Sequence, residues 1–312
     1  MRRSRGSPTR WSLPPPSWEP PCVADRVEIG NGTLTAAIDP LGAELVSLRD
    51  AQGRELMTDA DPAFWTGHAP ILFPIVGRLA GDRYRLDGRD YPLPQHGFAR
   101  RRIFTLAEQG AAHVRFRLED DAESREVYPF AFALDVLHAL EGATLTTTVT
   151  IINRDARDLP ASIGFHHAFA WPLPYGRPRD AHRITFPEHE PASLASIEDG
   201  LIAPAPRPSP LQGRVLPLSD DLFTEDALVW QQLESQSLRY DAGEGPALEI
   251  GFPDTPMLGI WTKPGAAFVC VEPWHGIADP VGFSGDIWDK PGMMRVAPGA
   301  TRSAIMSVTL LP

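Results

Sequence analysis

One stretch of the sequence decides the fold class. Residues 130–140, FAFALDVLHAL, are followed by the turn pair Glu141-Gly142 and then by residues 144–152, TLTTTVTII. Aromatic and β-branched residues fill both halves, and these residue types favour pleated strands. Because side chains alternate along a strand, three apolar residues of the second half share one face: Leu145, Val149 and Ile151. The stretch predicts two antiparallel strands joined by a tight turn.

The same pattern of short strands and turn residues continues on both sides of this stretch, with 33 prolines and 26 glycines in the chain. No long helical periodicity, βαβ rhythm or fixed repeat interrupts it. The sequence therefore predicts an all-β, single-domain sandwich of antiparallel, twisted sheets over residues 25–312, behind a disordered, proline-rich tail at residues 1–24. The predicted strands are Thr33–Ile38, Glu44–Leu48, Ala112–Leu118, Ser162–His166 and Ser303–Leu310, with a hairpin about Asp87-Gly88.

Composition limits the partners. The chain has 312 residues and a formal net charge of −11, whereas nucleic acid and anionic membranes both attract basic surfaces. No apolar run approaches the ~20 residues that span a bilayer, and the tail lacks the apolar middle of a signal peptide. Two cysteines, Cys22 and Cys270, are too few for a disulfide framework. We expect a cytoplasmic protein, and a monomer and a homodimer both stay open.

Glu272 interrupts an apolar strand, Phe268 to Val271, in the sequence FVCVEPW. A carboxylate is costly to bury, so it usually has a partner or a chemical task. Alternation puts Phe268, Cys270 and Glu272 on one face. If that face lines a cleft, Glu272 is a candidate general base. The alternative is a strand-end glutamate turned to solvent before Pro273.

Three further polar residues have informative surroundings. His166 shares a face with Ser162 and Gly164, and these small residues leave room for something other than protein; the alternative is a core histidine satisfied by the backbone. His96 lies in a loop fixed by proline and glycine, which suits either a site residue or a turn cap. Arg78 follows an apolar run that should tuck it inward, where a protein carboxylate or a hydroxylated ligand would accept from it. His167 faces away from His166, and we expect it to be structural.

Five short motifs follow one another in a definite order along the chain. They are Pro70-Ile71-Leu72-Phe73-Pro74, Gly77-Arg78, Gln95-His96-Gly97-Phe98, Gly164-Phe165-His166 and Val271-Glu272-Pro273-Trp274-His275-Gly276-Ile277. In this order they resemble the aldose 1-epimerase (galactose mutarotase-like) superfamily, most closely its LacX-type branch, and the likeness covers the chain from about Val27 to the C-terminus. The resemblance implies a β-supersandwich with an open sugar cleft. His167 departs from it, because LacX-type chains usually have proline there.

The resemblance also implies residue roles. Glu272 resembles the family's general base and His166 its general acid, while His96 and Arg78 resemble the residues that hold the ring oxygen and hydroxyls. These residue types suit the interconversion of α and β hexose anomers, because a carboxylate and a histidine open a hemiacetal without metal or cofactor. Aromatic rings bury the apolar face of a sugar, and four are candidates for that platform: Trp261, Trp274, Trp171 and Phe98.

Other functions remain to be weighed. Histidines and a glutamate bind metal in cupins, but this chain has no His-x-His pair, so we expect no metal site. The run Arg100-Arg101-Arg102 could bind a phosphate, which makes a hexose-phosphate 1-epimerase an alternative function. An exposed strand with solvated charges explains the run more simply. A catalytically silent sugar-binding protein would more naturally lack Glu272 or His166. The irregular segment Pro174 to Pro217 is long enough to wall a site.

Overall fold

The computed structural model describes residues 25–312, and the predicted tail at residues 1–24 lies outside the described residues. The described chain forms 24 strands, and the strands that pair do so antiparallel. This confirms the all-β fold class.

In chain order, the strands of the first half are β1 (Val27–Gly30), β2 (Leu34–Asp39), β3 (Glu44–Asp50), β4 (Ile71–Leu72), β5 (Arg83–Leu86), β6 (Arg89–Pro92), β7 (Thr105–Gln109), β8 (His113–Glu119), β9 (Phe132–Glu141), β10 (Thr144–Asn153), β11 (Leu159–Ala161), β12 (Ile163–Phe165) and β13 (His167–Ala170).

The later strands are β14 (Arg183–Thr185), β15 (Ile197–Glu198), β16 (Leu201–Ile202), β17 (Val215–Pro217), β18 (Leu228–Trp230), β19 (Ser237–Asp241), β20 (Ala247–Gly251), β21 (Met257–Trp261), β22 (Phe268–His275), β23 (Met294–Val296) and β24 (Thr301–Leu311). The described helices are short: α1 (Ala122–Val127) and the 3₁₀ turns Ala80–Asp82, Ala99–Arg101, Arg179–Ala181, Asp220–Phe223 and Ile287–Asp289. None of these helices is long and apolar enough to cross a membrane.

The β9–β10 hairpin lies inside a nine-stranded sheet of order β17-β14-β19-β20-β24-β10-β9-β8-β7. Its register pairs Val149 with Val136, and both side chains are fully buried. The hairpin about Asp87-Gly88 also forms, because both residues take the positive φ angles that such a turn requires. These two predicted hairpins are confirmed.

A six-stranded sheet has the order β18-β21-β22-β12-β4, with β13 paired to β22 beyond β12. Alternation gives this sheet two different faces. Phe165 and Val271 join the main core, which also takes side chains from the nine-stranded sheet. His166 and Glu272 therefore point to the opposite face, away from that core.

Two details of the predicted organisation were wrong. The strand expected over Ser162–His166 is shorter, because β12 covers Ile163–Phe165 and a separate strand, β13, begins at His167, which leaves His166 between the two. The segment Pro174 to Pro217 is less irregular than expected, because β14 and β17 form the edge of the nine-stranded sheet. Ile197 and Ile202 of the same segment line a cleft over the six-stranded sheet, as expected for a wall.

Candidate active site

His166 lies directly across the sheet from Glu272. The register that pairs Gly164 with Trp274 continues unchanged to the pair His167 and Val271. In this register, His166 lies opposite Glu272. The His166 Nε2 atom is 3.2 Å from the Glu272 Oε2 atom, and both side chains are almost fully buried. The split between β12 and β13 thus falls at the point where the two ionisable groups meet.

The surroundings of this pair are apolar. The Trp65 ring stacks on the His166 ring at a centroid distance of 4.8 Å, and Trp261 meets the same ring edge-on at 5.9 Å. Burial therefore raises the pKa of Glu272 well above its ordinary value, and the negative charge of Asp226 adds to that rise. Burial, aided by the charge of Arg100, lowers the pKa of His166 to about 3. Each group is driven toward its uncharged form.

His96 approaches the pair from the opposite side of the cleft. Its ring centroid is 5.9 Å from that of His166. The main-chain N–H of Gly77 donates to the ring atom Nδ1 of His96 over 3.2 Å. In return, the main-chain N–H of His96 donates to the Gly77 carbonyl over 2.9 Å. A neutral imidazole that accepts at Nδ1 carries its proton on Nε2. Burial also lowers the pKa of His96, which keeps the ring neutral.

Arg78 lies beside the cleft, with its guanidinium committed to other protein groups. Its Nε and Nη2 atoms donate to the Asp82 carboxylate over 3.0 and 3.2 Å, and its Nη1 atom donates to the Asp199 carbonyl. Its side chain is 40% exposed, so the expected inward tuck was wrong. Of the two acceptors that the sequence left open, the structure shows the protein carboxylate.

The structure brings only part of the expected aromatic platform to the cleft. Trp261 and Trp274 line it, whereas Trp171 is a core residue under Arg179, and Phe98 packs against Phe73. The room expected beside Gly164 is occupied by protein, because a Cβ atom there would lie 2.7 Å from the Trp274 ring. His167 is buried on the core side, against Phe165, as expected.

Three residues that line the cleft were missed from sequence: Trp65, Arg100 and Asp226. Arg100 was assigned to a solvated strand, but its side chain is only partly exposed and lines the cleft. Its Nη2 atom donates to the Gln95 carbonyl over 3.0 Å, its buried Nε atom has no partner, and no carboxylate of residues 25–312 lies within 4.0 Å of it. Burial lowers the pKa of Arg100. The run of three arginines was the available signal.

The cleft has a volume of about 280 Å³, room for a small polar molecule. A glutamate, two histidines and three tryptophans line it, which is a set suited to proton transfer on a hydroxylated ring. One group of side chains could also hold a metal ion: donor atoms of His166, Cys270 and Glu272 lie within 4.8 Å of one another. The sequence predicted no metal site, because it has no His-x-His pair, and it gave no reason to count Cys270 among the possible ligands.

Known proteins resemble this chain over most of its length. Residues 25–291 match the family model described as Aldose 1-epimerase. The chain is 32% identical to the chromosomal protein LacX of Lactococcus lactis subsp. lactis over 296 residues, which cover 91% of this chain and 99% of LacX. The plasmid form of LacX from the same organism is 33% identical over 296 residues, with the same coverage of both chains.

Two solved structures are similar throughout. A galactose mutarotase related enzyme from Lactobacillus acidophilus is 31% identical, with a TM-score of 0.85 over 92% of this chain and 98% of that one. A galactose mutarotase-like protein from Lactobacillus casei ATCC 334 is 29% identical, with a TM-score of 0.84 over 92% of this chain and 100% of that one.

Proposed function

Because the chain belongs to the aldose 1-epimerase family, we propose that it interconverts the α and β anomers of a hexose by acid–base ring opening and reclosure. The observation that carries this proposal is the contact of 3.2 Å between His166 and Glu272 on the floor of the cleft. The two groups act on one hemiacetal, with Glu272 as base and His166 as acid.

The proton content of the pair fits this chemistry. A neutral Glu272 beside a neutral His166 holds as many protons as an ionised Glu272 beside an imidazolium. Both arrangements are uncharged overall, and one proton transfer across the contact converts the first into the second. Burial favours the neutral arrangement in the empty cleft. Sugar hydroxyls that solvate the carboxylate and the imidazolium would favour the ionised arrangement, in which base and acid are both ready.

In the proposed reaction Glu272 accepts the proton of the C1 hydroxyl while His166 gives its proton to the ring oxygen. The C1–O5 bond breaks, and the C1–O1 bond becomes the carbonyl of the open-chain aldehyde. After rotation about the C1–C2 bond, O5 attacks the other face of C1, and both protons return. Each positioned acid or base contributes about 10²–10⁴-fold to such a step.

Other cleft residues would orient the sugar. The indole rings of Trp261 and Trp274 offer apolar faces to its C–H groups. The neutral His96 ring offers an Nε2–H donor to an oxygen acceptor. Arg78 is assigned a smaller role than the resemblance implies, because Asp82 already occupies its guanidinium.

The test of this function is anomer exchange measured by NMR on a panel of free hexoses. Glu272→Gln keeps the size and hydrogen bonding of the side chain but removes the base, so we expect a loss of about 10²-fold or more. We expect a similar loss for His166→Ala, and the double variant should lose less than the product, because both groups serve one event. Glu249→Gln, on an exposed part of β20, is the matched control and should exchange at the wild-type rate.

If the Glu272→Gln variant exchanged the anomers of every active sugar at the wild-type rate, Glu272 could not be the base. Sugar binding without exchange by the wild-type protein would instead indicate a silent carbohydrate-binding protein, and calorimetry on the same panel separates the two outcomes.

A hexose-phosphate 1-epimerase is the second candidate, and Arg100 is the observation that favours it. A partly buried guanidinium without an ion-pair partner has donors to offer a ligand, and phosphate oxygens match its planar fork. Arg100 lines the cleft together with His96 and His166. A bound phosphate would also offset the charge by which Arg100 lowers the pKa of His166, so the acid would be easier to protonate.

Hexose 6-phosphates in the same NMR panel separate the two candidates. If the phosphate is bound, Arg100→Gln should lower kcat/KM for the phosphorylated sugar by about 10-fold or more and leave the free sugar nearly unchanged. Arg101→Gln is the matched control, because Arg101 is the exposed neighbour in the same run. If Arg100→Gln changed kcat/KM equally for both sugars, free hexoses would be favoured as the substrates.

A further inference from the structure

We propose that His166, Cys270 and Glu272 form an inhibitory binding site for Zn²⁺ at the floor of the cleft. One donor atom from each side chain lies within 4.8 Å of the other two, and all three residues are buried. Thiolate sulfur, imidazole nitrogen and carboxylate oxygen are the three ligand types that zinc takes from proteins. Inhibition rests on the proposed function, whereas binding of the metal does not.

The spacing of the donors suits a tetrahedral ion. Zinc bonds of ≈ 2.0–2.3 Å place neighbouring ligand atoms about 3–4 Å apart. His166 Nε2 and Glu272 Oε2 already have a separation of 3.2 Å, and the sulfur lies within 4.8 Å of its partners. Small side-chain movements therefore complete the set. Cys270 and Glu272 are two residues apart on β22, so strand alternation holds both on one face.

The residues around the three donors are small or apolar, and the cleft gives the ion its route of entry. Ala168 lies opposite Cys270 in the β13–β22 pairing and packs with it, so only a methyl group approaches the sulfur from that strand. Trp65, Trp261 and Phe268 form an apolar rim, which strengthens ion binding by excluding water. His166 and Glu272 line the cleft while Cys270 lies behind them, so the ion enters through the cleft and keeps a fourth position for water.

Binding follows a balanced exchange of protons. The Cys270 thiol loses its proton to become the thiolate ligand, and the proton held by the His166–Glu272 pair is also released. The ion accepts lone pairs from sulfur, Nε2 and a carboxylate oxygen, so two protons leave for one Zn²⁺ bound. No electron transfer is involved. Because His166 and Glu272 are then occupied, the metal and the sugar exclude each other.

The experiment uses the full chain with Cys22→Ser in every variant, so that Cys270 is the one thiol. Zn²⁺ is titrated during anomer exchange, and Co²⁺ is titrated separately with absorbance recorded in the near ultraviolet. We expect inhibition that excess sugar relieves, and a sulfur-to-cobalt charge-transfer band. Cys270→Ala should keep its activity, lose the band, and need more than about tenfold more zinc, since even the loss of a ligand's hydrogen-bond partner costs 10–100-fold.

Equal zinc sensitivity of the Cys270→Ala variant and its parent, an absent cobalt band, or zinc that leaves activity unchanged or raised would each overturn the proposal. Cys270→Ser, which keeps the side-chain volume, guards against a folding defect in the alanine variant. If the protein proves inactive on every sugar, the cobalt band and its loss in Cys270→Ala still decide whether the site exists.

Discussion

At the residue scale, the contact between His166 and Glu272 determines how the site holds its protons. The pair gains a further proton only when His166 is protonated beside an already neutral Glu272, and burial lowers that pKa to about 3. The pair loses its proton only when Glu272 ionises in the same dry surroundings, and burial raises that pKa well above its ordinary value. The uncharged pair therefore persists over a wide range of pH.

The resulting prediction concerns the acid limb of the pH profile. As pH falls from 7 to 5, kcat/KM should change by less than about twofold, because neither group changes its protonation in that range. Activity should fall only as pH approaches 3, where His166 takes up a second proton and Glu272 cannot serve as base. Anomer exchange measured from pH 4 to 8 checks this. An acid limb near pH 6.5, the ordinary value for histidine, would contradict the assignment.

The sequence identified the ionisable pair but not its surroundings, for a physical reason. Glu272 and His166 stand out because a polar group in an apolar strand is costly. Trp65 and Asp226 come from loops, and nothing in their local sequence indicates that the chain folds back over the cleft. Arg100 was misassigned because charge in a run indicates solvent exposure unless the backbone turns it inward, as the 3₁₀ turn Ala99–Arg101 does here.

At the scale of elements, Trp274 lies in a recess made by two glycines on the neighbouring strands. Gly164 on β12 and Gly259 on β21 flank it, and a Cβ atom at Gly259 would lie 2.5 Å from the Trp274 ring. The ring therefore lies against the sheet and presents its upper face to the cleft. The sequence named Trp274 as a candidate for the aromatic platform, but it did not indicate the recess, because the two glycines that form it lie far apart in sequence.

Gly259→Ala should displace the Trp274 ring from this recess. Overpacking of this kind costs about 1–3 kcal/mol, and we expect KM for the sugar to rise several-fold with a smaller change in kcat. Steady-state exchange kinetics measure the split between the two constants. Gly30→Ala is the control, because a Cβ atom on that β1 glycine meets its neighbours at 3.6 Å or more, with no positive φ. Unchanged KM in Gly259→Ala would show that Trp274 does not contact the sugar.

At the scale of the whole molecule, a buried ion pair joins segments distant in sequence beside the cleft. Lys290 Nζ donates to the Asp279 Oδ1 atom over 2.7 Å and to the Ile277 carbonyl over 2.6 Å. The other Asp279 oxygen accepts from the Ala80 N–H, and the Asp279 N–H donates to the Arg78 carbonyl. The loop after β22 and the loop before β5 are thus held together.

Lys290→Met should destabilise the fold by about 3–5 kcal/mol, because it leaves the Asp279 carboxylate buried and unpaired. Urea unfolding measures the loss, with Lys263→Met, at an exposed lysine, as the control. Combining Lys290→Met with Asp279→Asn should recover part of the stability, since the unpaired charge is then gone. Additive losses in the double variant would mean that the two side chains act independently.

The mutual hydrogen bonds between Gly77 and His96 have a consequence for the choice of ligand. The Gly77 main chain makes both of them, so no side-chain substitution outside His96 removes them, and they leave the His96 ring with a donor and no acceptor toward the cleft. The Gln95 Nε2 atom lies 3.2 Å from His96 Nε2, where two donors would oppose each other, so the Gln95 amide must turn to present its oxygen to that proton. In the proposed binding mode a pyranose supplies a lone pair at its ring oxygen in the same place. A carbocyclic mimic, with a methylene group at that position, supplies none and would leave the donor unpaired. We therefore expect the cleft to bind a sugar more tightly than the corresponding carbocycle, before any bond is broken.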